Sequence, residues 1–114
     1  MRFFRKDRVS SLIQERLSWI IVKEVEVPGA LITITRVEVS KKINSAKVKV
    51  SVLPSEKALK ALAVLANRAP YLEHLLLKDI NIKPMPHIVF ELDRGPEKAA
   101  NIEKALLKDN NRDQ

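Results

Sequence analysis

Seven consecutive residues, Ala46-Lys47-Val48-Lys49-Val50-Ser51-Val52, alternate strictly between apolar and polar. Successive side chains of an extended chain point to opposite faces, so this segment reads as a strand with one dry and one wet face. Ala46, Val48, Val50 and Val52 face the core, and Lys47, Lys49 and Ser51 face solvent. A helix would scatter the same residues around its circumference. A strand of this kind needs a partner strand and a covering layer. The flanking sequence offers both.

Upstream, Leu31-Ile32-Thr33-Ile34-Thr35-Arg36-Val37-Glu38-Val39 is rich in β-branched residues and reads as a second strand. The short polar link Lys41-Lys42-Ile43-Asn44-Ser45 between the two predicts an antiparallel hairpin. His87-Ile88-Val89-Phe90-Glu91-Leu92 is a third strand, entered from the extended Lys83-Pro84-Met85-Pro86 and ended by Gly95-Pro96. A first helix, with Asp7 as its cap, carries Val9, Leu12, Ile13, Leu17 and Ile20 at helical spacing and stops before the Pro28-Gly29 turn. A second begins after Pro54 with Ser55 as cap and lines up Ala58, Leu59, Leu62, Ala63 and Ala66. Pro70 interrupts that stripe, which predicts a break near Arg68-Ala69-Pro70 and a new helix carrying Tyr71, Leu72, Leu75 and Leu76. A last helix is expected over residues 97–108, followed by a polar tail over residues 109–114. The connection between the second and third strands is long enough for a crossover, so a mixed sheet is expected.

At 114 residues and 46% hydrophobic content, the chain is one domain with a core of its own. Its formal charge is +7. Residues 1–92 hold 16 basic and 9 acidic side chains, whereas residues 93–114 hold 5 of each, so the whole excess lies in the first part. Such a field attracts RNA, DNA, an anionic membrane or an acidic protein, and charge by itself does not choose among them. The plainer reading is that excess lysine keeps a small protein soluble.

Several chemistries are hard to build. There is no cysteine, which removes disulfides, iron–sulfur clusters and cysteine-bound zinc. His74 and His87 lack any metal-binding spacing. Two glycines and no G-x-x-x-x-G-K leave little for a phosphate-cradling loop. Glu24 and Glu26 flank a turn and read as exposed carboxylates. The opening Met1-Arg2-Phe3-Phe4-Arg5-Lys6-Asp7 has no apolar h-region of a secretory signal, and no apolar run reaches the ~20 residues of a membrane span, so the cytoplasm is the expected location.

Four stretches, in this order, resemble the ribosome-binding factor A family. Arg8-Val9 opens the first helix as in the family. Thr33-Ile34-Thr35-Arg36-Val37-Glu38-Val39-Ser40 is similar to its T-V-T-x-V-E-V-S strand, and Ala46-Lys47-Val48-Lys49-Val50-Ser51-Val52-Leu53 to its A-K-V-Y-V-S-V-L strand. Pro86-His87-Ile88-Val89-Phe90-Glu91-Leu92-Asp93 resembles the P-E-L-x-F-x-x-D end of its sheet, with His87 in place of Glu. The resemblance covers residues 8–107. It implies an α+β, KH-like fold of the second type: α-β-β-α-(break)-α-β with a C-terminal helix, its three-stranded sheet covered by helices. It also implies a non-catalytic factor that binds the small ribosomal subunit and its rRNA late in maturation. Such proteins lack the G-x-x-G loop of other KH domains and carry an Ala-x-Gly break, which here reads Arg68-Ala69-Pro70.

The expected protein is therefore a monomeric RNA-binding domain over residues 1–108, with no cofactor, metal or small-molecule substrate. Two lysine- and arginine-rich clusters suit phosphate contacts, one at the N-terminus and one over residues 41–60. The candidate RNA-binding residues are Arg5, Arg8, Lys41, Lys42, Lys47, Lys49 and Arg68. The alternative for the strand lysines is a solvated face that discourages edge aggregation. Neither cluster interleaves aromatics, which points to backbone and shape recognition rather than base stacking. Trp19 and Tyr71 are expected to pack in the core or a groove. The competing functional reading is a basic interaction module that binds an acidic protein or another RNA. An enzyme on the same scaffold is the third reading, and it lacks a recognisable site.

Overall fold

The computed structural model describes residues 2–82 and 84–94. Helix α1 (Arg2–Glu24) is followed by strands β1 (Leu31–Val39) and β2 (Ser45–Leu53), a 3-10 turn (Ser55–Lys57), helix α2 (Ala58–Asp79) and strand β3 (His87–Leu92). The sheet order is β1-β2-β3, with β1 antiparallel to β2 and β2 parallel to β3. This is the expected α+β, KH-like arrangement, with the hairpin and the mixed sheet as predicted. The expected helix over residues 97–108, the Gly95-Pro96 strand end and the polar tail over residues 109–114 lie outside the described residues, as does Lys83 of the extended link.

Both helices cover one face of the sheet, α1 over β1 and α2 over β3. Ala46, Val48, Val50 and Val52 of β2 are buried there, as their alternation requires. They meet Val9, Ile13, Leu17, Ile20 and Ile21 of α1 and Ala58, Ala61, Leu65, Leu72 and Leu76 of α2. Among the described residues no helix covers the other sheet face. Leu31 and Leu53, opposite each other in the hairpin, are 63% and 58% exposed.

β1 contains a bulge between Ile34 and Arg36 that leaves Thr35 out of the register with β2, although its hydroxyl lies 3.3 Å from the Lys49 carbonyl. The Thr35 hydroxyl donates to the Asp93 carboxylate at 2.7 Å, just beyond β3. The inward side switches across the bulge: Ile34 is buried before it, and Val37 and Val39 after it. Arg36 and Glu38 are thereby turned to the open face.

Two loops fix the hairpin and its approach. In the turn over residues 27–30, Ala30 N–H donates to Val27 O, and Gly29 holds φ at +75° behind Pro28. That is the geometry of a type II turn, whose third residue must be left-handed. At the hairpin tip, Ser40 organises residues 40–45. Its carbonyl accepts from Ile43 N–H, its hydroxyl oxygen accepts from Asn44 N–H and Ser45 N–H, and its hydroxyl donates to Asn44 Oδ1. Ile43 sits at φ +56°, a costly conformation for a β-branched residue, with its side chain partly buried against the core.

Three sequence expectations are corrected. Asp7 does not cap α1, because the helix already runs from Arg2; no Gly or Pro precedes Asp7 to stop it. Ser55 makes no side-chain cap, and a 3-10 turn leads into α2 instead. The break near Arg68-Ala69-Pro70 is absent: α2 is one helix with Pro70 inside it. Its buried stripe passes from Leu65 to Leu72 without a shift of phase. Pro70 removes the hydrogen bond to the Ala66 carbonyl, but both residues are exposed, so water can reach the freed oxygen. Pro70→Ala is therefore expected to raise stability by about 1–2 kcal/mol in urea unfolding. A neutral or destabilising result would mean that Pro70 starts a separate helix after all.

Trp19 and Tyr71 are not core residues. They are 64% and 44% exposed. At about 100° per residue, Trp19 lies roughly 160° around α1 from the fully buried Leu17.

Candidate nucleic-acid interface

The predicted contact residues fall into three places. Lys41 and Lys42 are exposed at the tip of the hairpin, in the turn that Ser40 closes. Among the described residues neither has an acidic partner within ion-pair distance, and the same holds for Arg5 and Arg8, exposed near the start of α1. Lys47 and Lys49 lie on the open sheet face, as their alternation predicts, but both are paired. Lys47 Nζ is 3.3 Å from Glu91 of β3, and Lys49 Nζ is 3.7 Å from Glu38 of β1. The same Glu38 oxygen is 3.2 Å from Arg36 Nε, so one carboxylate serves two cations.

Arg68 stands apart. Its guanidinium lies 5.3 Å from the centroid of the Tyr71 ring, and the Tyr71 hydroxyl donates to Glu24 at 3.5 Å. Glu24 ends α1, about 27 Å along the helix axis from Lys6. Arg68 is thus at the opposite end of α1 from the N-terminal cations.

The structure brings Lys6, Arg36 and Lys47 together at one end of the molecule, while Arg5 and Arg8 line neither of the depressions there. The start of α1, the end of β1 and the start of β2 meet around two open, neighbouring depressions. One, of about 430 Å³, is lined by Lys6, Asp7, Ser10, Ser11 and Gln14 of α1 and by residues 36–39 of β1. The other, of about 490 Å³, is lined by Lys6, Arg36, Glu38, Val39, Ser40, Ser45 and Lys47. Lys41 and Lys42 project from the turn between Ser40 and Ser45 that borders it. Lys6 and Arg36 were not among the predicted contacts. Lys6 is visible in sequence as part of the N-terminal basic cluster. Arg36 gives no such signal, because only the bulge turns it outward.

Cations set among serine hydroxyls and a glutamine amide suit sugar–phosphate contacts, which carry position rather than sequence information. The two carboxylates in the depressions, Asp7 and Glu38, limit how much anionic charge can sit deep in them. Among the described residues, Lys41 and Lys42 at the rim are two adjacent cations without an acidic partner. Among the described residues no three His, Asp or Glu side chains come together to hold a metal ion, and no helix is long and apolar enough to cross a membrane.

A model of the family described as ribosome-binding factor A matches residues 5–106. Ribosome-binding factor A of Caldicellulosiruptor bescii is 37% identical over 111 residues, covering 93% of this chain and 84% of that protein. The crystal structure of ribosome-binding factor A from Thermus thermophilus is similar with a TM-score of 0.69 at 23% identity, covering 79% of this chain and 97% of the other. A homology model of the Thermus thermophilus factor, fitted into a cryo-EM map of a 30S–RbfA complex, is similar with a TM-score of 0.63 at 22% identity, covering 74% and 90%.

Proposed function

Because the chain belongs to the ribosome-binding factor A family, we propose that it binds the small ribosomal subunit and its rRNA during late maturation, without catalysing a reaction. The observation that carries this reading is the convergence of α1, the hairpin tip and the sheet on one polar, cation-rimmed end. Lys41 and Lys42 are the principal phosphate contacts at that end, with Lys6 and Arg36 beside them, and Arg5 and Arg8 add contacts from the first turns of α1, outside the depressions. Lys47 and Lys49 contribute less, because Glu91 and Glu38 already hold them. Arg68 makes a separate contact, away from this end.

A binding role of this kind needs no reactive centre. A rigid basic surface can act by binding one RNA arrangement more tightly than another. The shift it produces is bounded by the difference in affinity between the two states. Holding the immature junction better than the mature one delays docking, and the factor leaves when that preference reverses. The protein works as a monomeric cytoplasmic domain spanning residues 1–108, with residues 109–114 as a polar tail.

Gradient sedimentation of a cell lysate tests the proposal. The protein is expected to travel with free small subunits rather than with translating ribosomes. Binding to purified small subunits should weaken steeply with salt, by a slope of roughly 0.9 per neutralised phosphate in the double-logarithmic plot. A chain that remains at the top of the gradient, with no salt-sensitive association in the purified system, would falsify the assignment.

A further inference from the structure

Helix α1 has a second face that the sheet leaves uncovered. Leu12, Trp19 and Val22 on it are 38%, 64% and 74% exposed. Arg8, Arg16 and Lys23, all exposed, stand among them, and among the described residues of α1 the one acid close by is Glu15, a turn before Trp19 and about 40° around from it. At 100° per residue, Arg16 and Lys23 fall within about 60° of Trp19, one turn before and one turn after it. An exposed apolar group of this kind, rimmed by charge, marks an interaction surface.

We infer that this face binds an unpaired nucleotide of the RNA partner, with the base stacked on Trp19 and the flanking phosphates on Arg16 and Lys23. The inference rests on the reading that the chain binds small-subunit RNA, and it names a contact that reading does not contain. Charge selects the occupant. A second copy of the chain would bring the same excess of cations against itself. A nucleotide supplies both features the face asks for, a flat π-surface for the indole and negative charge on either side. Phosphate and shape contacts at the hairpin end carry no base stacking, so the two surfaces would read different parts of the RNA.

Trp19 is the only tryptophan, so its fluorescence reports on this face alone. Titration with a short oligoadenylate is expected to quench that emission, and polyglutamate at equal charge is not. Trp19→Ala should lower affinity for the oligoadenylate and for purified small subunits about tenfold, while Trp19→Phe retains most of it. Thermal unfolding of both variants should match the parent chain, since Trp19 packs little against the core. Equal quenching by polyglutamate would make this an acidic-partner face and overturn the inference. So would emission that changes with protein concentration alone, which would mean self-association. If the parent chain binds small subunits and Trp19→Ala binds them equally, with no quenching by oligoadenylate, the nucleotide contact fails and the small-subunit reading stands. If the parent chain binds neither, both fall.

Discussion

Replacing Lys41 and Lys42 together by glutamate is expected to weaken binding to purified small subunits by about 100-fold at low salt, ~2.7 kcal/mol. The logarithmic salt slope should fall in magnitude by roughly two, one for each lost phosphate contact. The site makes the reason specific. Both lysines are exposed at a turn held by the Ser40 carbonyl and hydroxyl, so their substitution leaves the turn's hydrogen bonds in place. Neither has an acidic partner among the described residues, so their charge is fully available to an incoming phosphate. A distant lysine controls for net charge. Lys60 is exposed near the start of α2, beyond the far end of β2. The nine residues of β2 separate it from the hairpin tip by about 30 Å. Lys41→Glu and Lys60→Glu change the total charge equally. If they weaken binding equally, the effect is the general field of a basic protein and not a contact. Lys47→Ala is expected to have a smaller effect than Lys41→Ala, because Lys47 is already held in an ion pair by Glu91 and offers less to an incoming phosphate.

Part of the layout of this candidate surface was legible in the sequence. The alternation in β2 placed Lys47 and Lys49 on the wet face correctly, since a period of two survives whatever the strand pairs with. The partners of those lysines were hidden. β1 reads Leu31-Ile32-Thr33-Ile34-Thr35, in which threonine is tolerated on either face, so the sequence carries no mark of the bulge. Without the bulge, Arg36 would share the inward face of Ile34. With it, Arg36 and Glu38 stand beside Lys49, and a row of lysines becomes a partly neutralised lattice. Pro70 misled in the other direction. Proline is a strong local signal, yet it is overridden where the buried stripe on either side fits one helix and the freed carbonyl faces water. Trp19 misled through composition. A lone tryptophan among isoleucines suggests a core, but its angle on the helix wheel sets it among Arg8, Arg16 and Lys23 instead.

Leu72→Ala is expected to cost about 3–4 kcal/mol, close to the limit that a domain of ordinary stability can lose and still fold. Leu72 is fully buried in the middle of α2. That helix packs against β3, α1 and β2, so the cavity opens where the layers meet and collapse from one side cannot fill it. Alanine is at least as good a helix former as leucine, so the loss would not come from the helix itself. Thermal unfolding should shift down by roughly 15 °C. Leu59→Ala sets the scale. Leu59 is on the same helix but 71% exposed, and its truncation should stay within about 0.5 kcal/mol. The pair also bears on the continuity of α2. Leu72 lies beyond Pro70, and in a broken helix the segment carrying it could shift to close the cavity. A cost near 1 kcal/mol at Leu72 would show such yielding and contradict a single rigid helix. A cost several times that of Leu59 fits one helix clamped along its length, with Glu73 accepting from the Ile88 N–H at 2.6 Å to tie it to β3.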